Sequence, residues 1–361
     1  MRRIIVCLTF AVILAASCSV PAYSASSWNV ADEIARLGRE APPLSAFPGT
    51  PGVVWMSSDR YSLTSEGGKE HYGIYLILLG EEAEGNAITS RRFPYPAEEG
   101  ATLEITEAAW YDTNGARLGD LPTRKYDING VGGIEVEFPD EAYGLVAAIA
   151  FHENVPGRYY LDDALSLAGE LPIWEQIVTV EVPDGMTVYW DGVGVMNPER
   201  VRNGRTELMT WTVLNEPAWR GTGMTDSGKP SLSFSLEHGY IAMLKNMKEL
   251  EKAPYSPPIP SSVSLYRSNV FKAAGSVAKY MASRSIASER GTDIVRHFEN
   301  ISSDGPWTGW EQVMIASKWM ASLGFTTQIY CAPSIPAGSD GPASPKIWRE
   351  PILRISDVGG R

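Results

Sequence analysis

Thiols and imidazoles are few in this 361-residue chain: three cysteines, Cys7, Cys18 and Cys331, and four histidines, His71, His152, His238 and His297. A thiol becomes a good nucleophile when its pKa falls. A helix N-terminus does this simply, because its unpaired N–H groups and dipole favour the thiolate. The stretch Asp304–Phe325, DGPWTGWEQVMIASKWMASLGF, is composed to make such a terminus. Thr308 is a good N-cap residue, and Glu311 completes a Thr-x-x-Glu capping box. Val313, Ala316, Met320 and Leu323 recur at helical spacing and predict one buried stripe. Gly324 ends the helix, and FTTQIYC reads as a strand. Yet the mouth of this helix carries Trp307, Gly309 and Trp310, and no sulfur.

The remaining candidates are weaker. Cys331 closes the strand after the helix, where nothing local lowers its pKa, so it reads as a small apolar side chain. His297 stands beside Arg296 and Glu299 in IVRHFEN and reads as part of a solvated helix face. His152 precedes Glu153 at a strand end, and His71 opens a strand after Lys69-Glu70; no His/Cys/Asp spacing indicates a zinc site. Two Tyr-Asp-x-Asn-Gly strings, Tyr111–Gly115 and Tyr126–Gly130, read as hairpin turns, because neither continues with the spaced oxygen ligands of a calcium loop. No metal and no cofactor is expected. Trp55, Trp110, Trp174, Trp190, Trp211 and Trp219 fall on or beside predicted strands and are read as core in preference to a glycan-stacking platform. Trp307, Trp310 and Trp319 gather around the position without a thiol, where they would plug a cleft or form a hydrophobic binding face.

These residues need a frame, and the chain has the composition for one: 44% hydrophobic and 20% charged, enough for a sizeable core and more consistent with two domains than one. Residues 1–24 read as a secretory signal, with Arg2 and Arg3, an apolar run from Ile4 to Ala16 and the exit Ala22-Tyr23-Ser24. Signal peptidase cleavage after Ser24 is preferred because a polar exit of the usual length follows the apolar run. Lipidation of Cys18, after Ala15-Ala16-Ser17, is the competing reading. The expectation is export to the periplasm or beyond, with membrane attachment only through a lipid on Cys18. The formal charge of −12 argues against nucleic acid and anionic lipid as partners.

Residues 25–47 are an N-terminal extension. From 48 to 238 short β-type runs alternate with turn signals: GVVWM (52–56), HYGIYLILL (71–79), ATLEITEAAWYD (101–112), GGIEVEF (132–138), GLVAAIAF (144–151), IWEQIVTVEV (173–182), MTVYW (186–190), TELMTWTVL (206–214) and SLSFSL (231–236). This pattern predicts an antiparallel β-sandwich. Residues 239–262 are a helix and a proline-rich linker, APYSPPIPSS, where the domain boundary is placed. Beyond it, 269–283 and 291–300 read as helices, followed by the capped helix, its strand and the apolar segment EPILRIS. The expected fold class is α+β in two domains.

The order of these pieces resembles a group of exported bacterial proteins with an N-terminal β-sandwich domain of unknown function followed by a transglutaminase-like domain of the papain-type fold. AAWYDTNGARL, VEVPDGMTVYW and MTWTVLNEPAW carry the first half of the likeness, and GWEQVMIASKWMASLGFTTQIY resembles the family's cysteine-bearing helix and following strand. The resemblance implies a nucleophilic cysteine where this chain has Gly309, or Trp310 if the helix is one residue shorter. It implies a general-base histidine near Glu350, and an orienting acid on a strand past Arg361. By this reading residues 263–361 form a partial, degenerate domain, and the protein is a non-catalytic binder of a protein or cell-envelope polymer. A cysteine-dependent amide-bond enzyme and a carbohydrate-binding sandwich are the alternatives.

Overall fold

The computed structural model describes residues 29–64, 68–80, 88–95, 100–128, 131–156, 161–219, 229–239, 258–285, 303–332, 341–342 and 350–357. The signal segment with Cys18, the Asn129-Gly130 dipeptide, most of the 239–262 segment, and the 291–300 helix with His297 lie outside the described residues. No helix among the described residues is long and apolar enough to cross a membrane.

The architecture is α+β and mostly sheet. Helix α1 (Val30–Glu40) leads into β1 (Gly52–Leu63), β2 (Lys69–Leu79), β3 (Ser90–Pro94), β4 (Thr102–Tyr111), β5 (Arg117–Asp120), β6 (Thr123–Ile128), β7 (Val131–Glu137) and β8 (Val146–Val155). Then follow β9 (Asp162–Ser166), β10 (Ile173–Pro183), β11 (Tyr189–Val193), β12 (Glu199–Asn203), β13 (Thr206–Glu216) and β14 (Ser231–Ser235). The C-terminal part comprises α2 (Ser261–Ser264), α3 (Val270–Ala282), α4 (Gly309–Ser322), β15 (Thr326–Ala332) and β16 (Glu350–Ser356).

Eight strands form one sheet in the order β12-β13-β10-β1-β2-β8-β4-β5, and β11-β14-β9, β3-β7-β6 and β15-β16 form smaller sheets. The expectation of a purely antiparallel arrangement is corrected at the centre of the large sheet, where β1 and β10 run parallel, Asp59 opposite Val178. More than a hundred residues separate these strands in sequence, and no hairpin joins them, so hairpin logic does not dictate their direction.

Strand β1 is buried on both faces. Val53, Trp55 and Met56 join a core with Ile34 and Leu37 of α1, whereas Val54 joins a different core with Phe93 and Val136 of the small β3-β7-β6 sheet. The pairing register with β2 shifts between Val54 and Met56. Such a bulge inserts one residue and reverses which positions face which side. Beyond it Tyr61 packs with Leu232 and Phe234 of β14, and with Val178 and Val180 of β10. One face of the large sheet is therefore covered by the two three-stranded sheets and the other by α1.

Helix α1 docks through two glycines. A Cβ on Gly38 would stand 2.1 Å from the Thr113 carbonyl oxygen, and one on Gly115 would stand 2.2 Å from that of Ala31. Gly115 has φ 87°, which suits the Asn114-Gly115 turn predicted from sequence. Asp112 Oδ1 accepts from the Asn114 and Ala116 N–H groups at 2.9 and 2.8 Å, so this carboxylate closes a turn between β4 and β5. Replacing Gly38 with Ala forces a methyl group against fixed backbone. The expected outcome is a loss of about 1–3 kcal/mol, read as a lower urea midpoint with unchanged slope. An unchanged midpoint would refute this docking of α1.

Candidate functional site

The site expected from sequence begins at α4. Its N-cap is Thr308, whose hydroxyl accepts from Glu311 N–H at 3.2 Å, while Glu311 Oε2 accepts from Thr308 N–H at 2.9 Å, so the capping box is present as predicted. Gly309 is therefore the first helical residue. The helix is buried more widely than one stripe, because Trp310, Met314, Ile315, Ala316, Trp319 and Met320 all lie in the core while Val313 is only half-buried. Ala273, Val277 and Met281 of α3 pack on one side, and Ile329, Leu353 and Ile355 of the β15-β16 pair belong to the same core. Ser317 and Thr327 hydroxyls meet at 2.9 Å and tie α4 to β15.

Trp307, Trp310 and Trp319 are fully buried. Trp307 and Trp319 meet edge to face with centroids 6.0 Å apart, and Tyr280 adds an edge contact to Trp319 at 5.6 Å. In this structure they fill the core behind the helix and present no open indole face. Trp55 and Trp211 are buried as well, and Trp110, Trp174, Trp190 and Trp219 are half-buried, so none of the six sheet tryptophans stands as an exposed platform.

A side chain at position 309 would start 3.8 Å from Cγ of Pro351, an ordinary contact distance. The β15-β16 register places Cys331 opposite Pro351 and Ala332 opposite Glu350. Helix terminus, Pro351 and the Cys331 backbone thus converge on one locus. The residue facing the helix mouth is Pro351, one position beyond Glu350, and neither Gly309 nor Pro351 carries a titratable group. The three described histidines are elsewhere. His71 is in β2, His152 in β8 stacked on Tyr72 at 4.2 Å, and His238 follows β14, stacked on Tyr189 at 4.3 Å.

Sequence reasoning missed a second constellation, on the face of β1 beyond the bulge. His71 Nε2 lies 2.9 Å from Asp59 Oδ1, and its Nδ1 lies 3.8 Å from Glu153 Oε2. Its ring stacks on Tyr61 at 4.1 Å and meets Phe151 edge-on at 5.0 Å. Lys69, also buried, pairs with Asp163 of β9 at 3.8 Å. These groups come from β1, β2, β8 and β9, so no local motif announces them. The one clue was polar residues, Asp59 and Lys69-Glu70-His71, at positions that alternate with core residues. Burial disfavours the charged imidazole, but hydrogen bonds to Asp59 and Glu153 outweigh it and raise the His71 pKa. Burial, followed by the nearby Asp163 and Asp59 carboxylates, pushes the Tyr61 phenol well above its ordinary range. Among the described residues no group of three His, Cys, Asp or Glu side chains is placed to hold a metal ion. A cavity of about 560 Å³ opens between the end of α1 and β1-β2, lined by Leu44, Trp55, Leu78 and Leu79, and includes no residue of α4 or β16.

No protein-family model and no curated protein matches the chain. Among solved structures, the chain is similar to one from Parabacteroides distasonis described as a candidate protease, with TM-score 0.70 at 14% identity over 86% of this chain. The chain spans 66% of that protein's length. An M1 zinc metallopeptidase from Deinococcus radiodurans aligns over 51% of this chain and 42% of its own, at 11% identity and TM-score 0.30. The first likeness is one of fold, and the second is too slight to carry an argument.

The raised pKa of His71 has a definite sign. A base whose folded pKa exceeds its unfolded value of about 6.5 contributes stability fully below that pH, and the contribution fades as pH climbs through the folded value. His71→Asn should cost on the order of 2 kcal/mol below pH ~6.5 and progressively less at higher pH. Urea midpoints of both proteins across pH check this. A gap that widens as pH rises refutes it.

Proposed function

We propose that this protein is an exported, non-catalytic relative of transglutaminase-like proteins that binds a protein or a cell-envelope polymer. In this reading residues 48–238 are a β-sandwich domain. Residues 263–361 are a partial transglutaminase-like domain, and the first 24 residues direct export. One observation carries it: at the mouth of α4, where acyl transfer through a thioester would need a thiol facing an imidazole, Gly309 faces Pro351. The capping box, the buried tryptophans and the Ser317–Thr327 contact hold this frame in place. A frame retained without its reactive groups supports recognition better than turnover.

A second reading, a cysteine-dependent amide-bond enzyme, is favoured by the register that sets Cys331 opposite Pro351 at the same locus. The fold likeness to a candidate protease is compatible with it.

Thiol chemistry separates the two. In the chain beginning at Ala25, Cys331 is the sole cysteine. Iodoacetamide at neutral pH is expected to label it no faster than free cysteine, and the protein should release no ammonia from a glutaminyl peptide. Gly309→Cys adds a thiol at the helix mouth and should react several-fold faster, because the helix terminus lowers its pKa. The binding arm is cosedimentation with isolated envelope polymer. Rapid labelling of Cys331, or ammonia release abolished by Cys331→Ala, would overturn the proposal in favour of the enzyme.

A further inference from the structure

Between Glu251 and Glu289 the sequence holds Lys252, Arg267, Lys272, Lys279 and Arg284 and no acidic residue, although the whole chain carries a formal charge of −12. The described part of this stretch is α2, α3 and their connection. Helix α3 turns Ala273, Val277 and Met281 toward α4, which leaves Phe271, Lys272, Gly275, Ala278 and Lys279 exposed. Phe271 is 84% exposed, Leu265 77% and Tyr266 37%. The Asn269 N–H donates to the Tyr266 carbonyl at 3.0 Å, and Ser276 Oγ donates to the Ser262 carbonyl at 2.9 Å, so turn and helix form one surface. Arg267, Lys272 and Lys279 make no ion pair among the described residues. Arg284 differs, lying over the Tyr280 ring at 3.7 Å.

Isolated exposed apolar residues are ordinary on protein surfaces. Three large ones within seven positions, alongside cations that make no ion pair among the described residues, have the composition of an element that lies in a membrane interface. We propose that this face docks the protein onto a membrane surface bearing anionic phospholipid headgroups. Phe271, Leu265 and Tyr266 enter the boundary between headgroups and acyl chains, while Arg267, Lys272 and Lys279 face the phosphates. The acidic remainder of the protein is repelled by the same surface, so attraction is confined to this face and orients the molecule. A hydrated polyanion would satisfy the cations but give the three apolar side chains nothing to enter, which favours lipid. This inference does not rest on the vacancy at Gly309, nor on any lipid at Cys18.

The test uses the chain beginning at Ala25, which retains every described residue, in flotation with phosphatidylcholine vesicles with and without phosphatidylglycerol. Binding is expected only with phosphatidylglycerol, weakening as salt rises. Lys272→Gln and Lys279→Gln should each weaken binding about five-fold, and Phe271→Ser about ten-fold. All three positions are exposed, so urea midpoints should not move. Equal retention on phosphatidylcholine alone, no retention at all, or full retention by these variants would each overturn the proposal. So would soluble dextran sulfate binding as tightly as the vesicles and insensitive to Phe271→Ser, which would reassign the face to a polyanionic polymer.

Discussion

Strand β1 must pack on both faces of the large sheet at once, and the single inserted residue near its start sets which residues face which side. Without the register shift between Val54 and Met56, alternation would put Asp59 and Tyr61 on the same face as Val53 and Trp55, the α1 side. With it, Trp55 and Met56 both reach the α1 core, and the far half of the strand turns its polar and aromatic residues toward β9 and β14. Everything on that face follows from this one placement: the stacking of His71 on Tyr61, the contact with Asp59, and the approach of Asp163 to Lys69.

The buried polar cluster is a compromise between packing and charge. Burying carboxylates is costly unless they are paired and hydrogen-bonded. Here buried Asp59 and half-buried Glu153 flank one imidazole, with the edge of Phe151 and the ring of Tyr61 packed against it. The close passage of Phe151 over Gly73, where an added Cβ would stand 2.1 Å from the Phe151 ring, shows how tightly the apolar wall is drawn. The cluster lies where the large sheet meets β9, and Ala164 of that same strand packs against the core of α4. The charged interior beneath the large sheet and the tryptophan core around α4 thus share one strand.

That second core is organised by aromatic mass where a thiol-based site would have chemistry. Trp307, Trp310 and Trp319 fill the space behind the helix mouth, so α4 is held by burial as well as by its cap. Its neighbour α3 buries only one stripe and leaves a cationic, aromatic face outward. An acidic protein with a cation-bearing, acid-free stretch between Glu251 and Glu289 distributes its charge very unevenly, and such unevenness acts on orientation and encounter more than on folding.

Much of this was legible locally. Eight of the nine β-type runs quoted from the sequence fall on strands, and of MTVYW (186–190) only Tyr189 and Trp190 do, since β-branched and aromatic alternation reports a half-buried sheet face. The capping box and the Asn114-Gly115 turn were equally readable, because each is satisfied by atoms a few residues apart. Strands β12, ERVRN, and β9, which opens with two aspartates, were not. The first is exposed throughout and has no alternation to read, and the second is buried against its own composition. The sequence alone determined that Gly309 brings no nucleophile to the helix mouth, because an absent side chain needs no structure to be absent. Only the tertiary structure decided that Pro351 faces it, that β1 and β10 run parallel, and that Asp59, His71, Glu153, Lys69 and Asp163 meet in one interior. Those contacts join residues up to more than a hundred positions apart, and which of them form depends on how whole sheets pack, a choice no local pattern encodes.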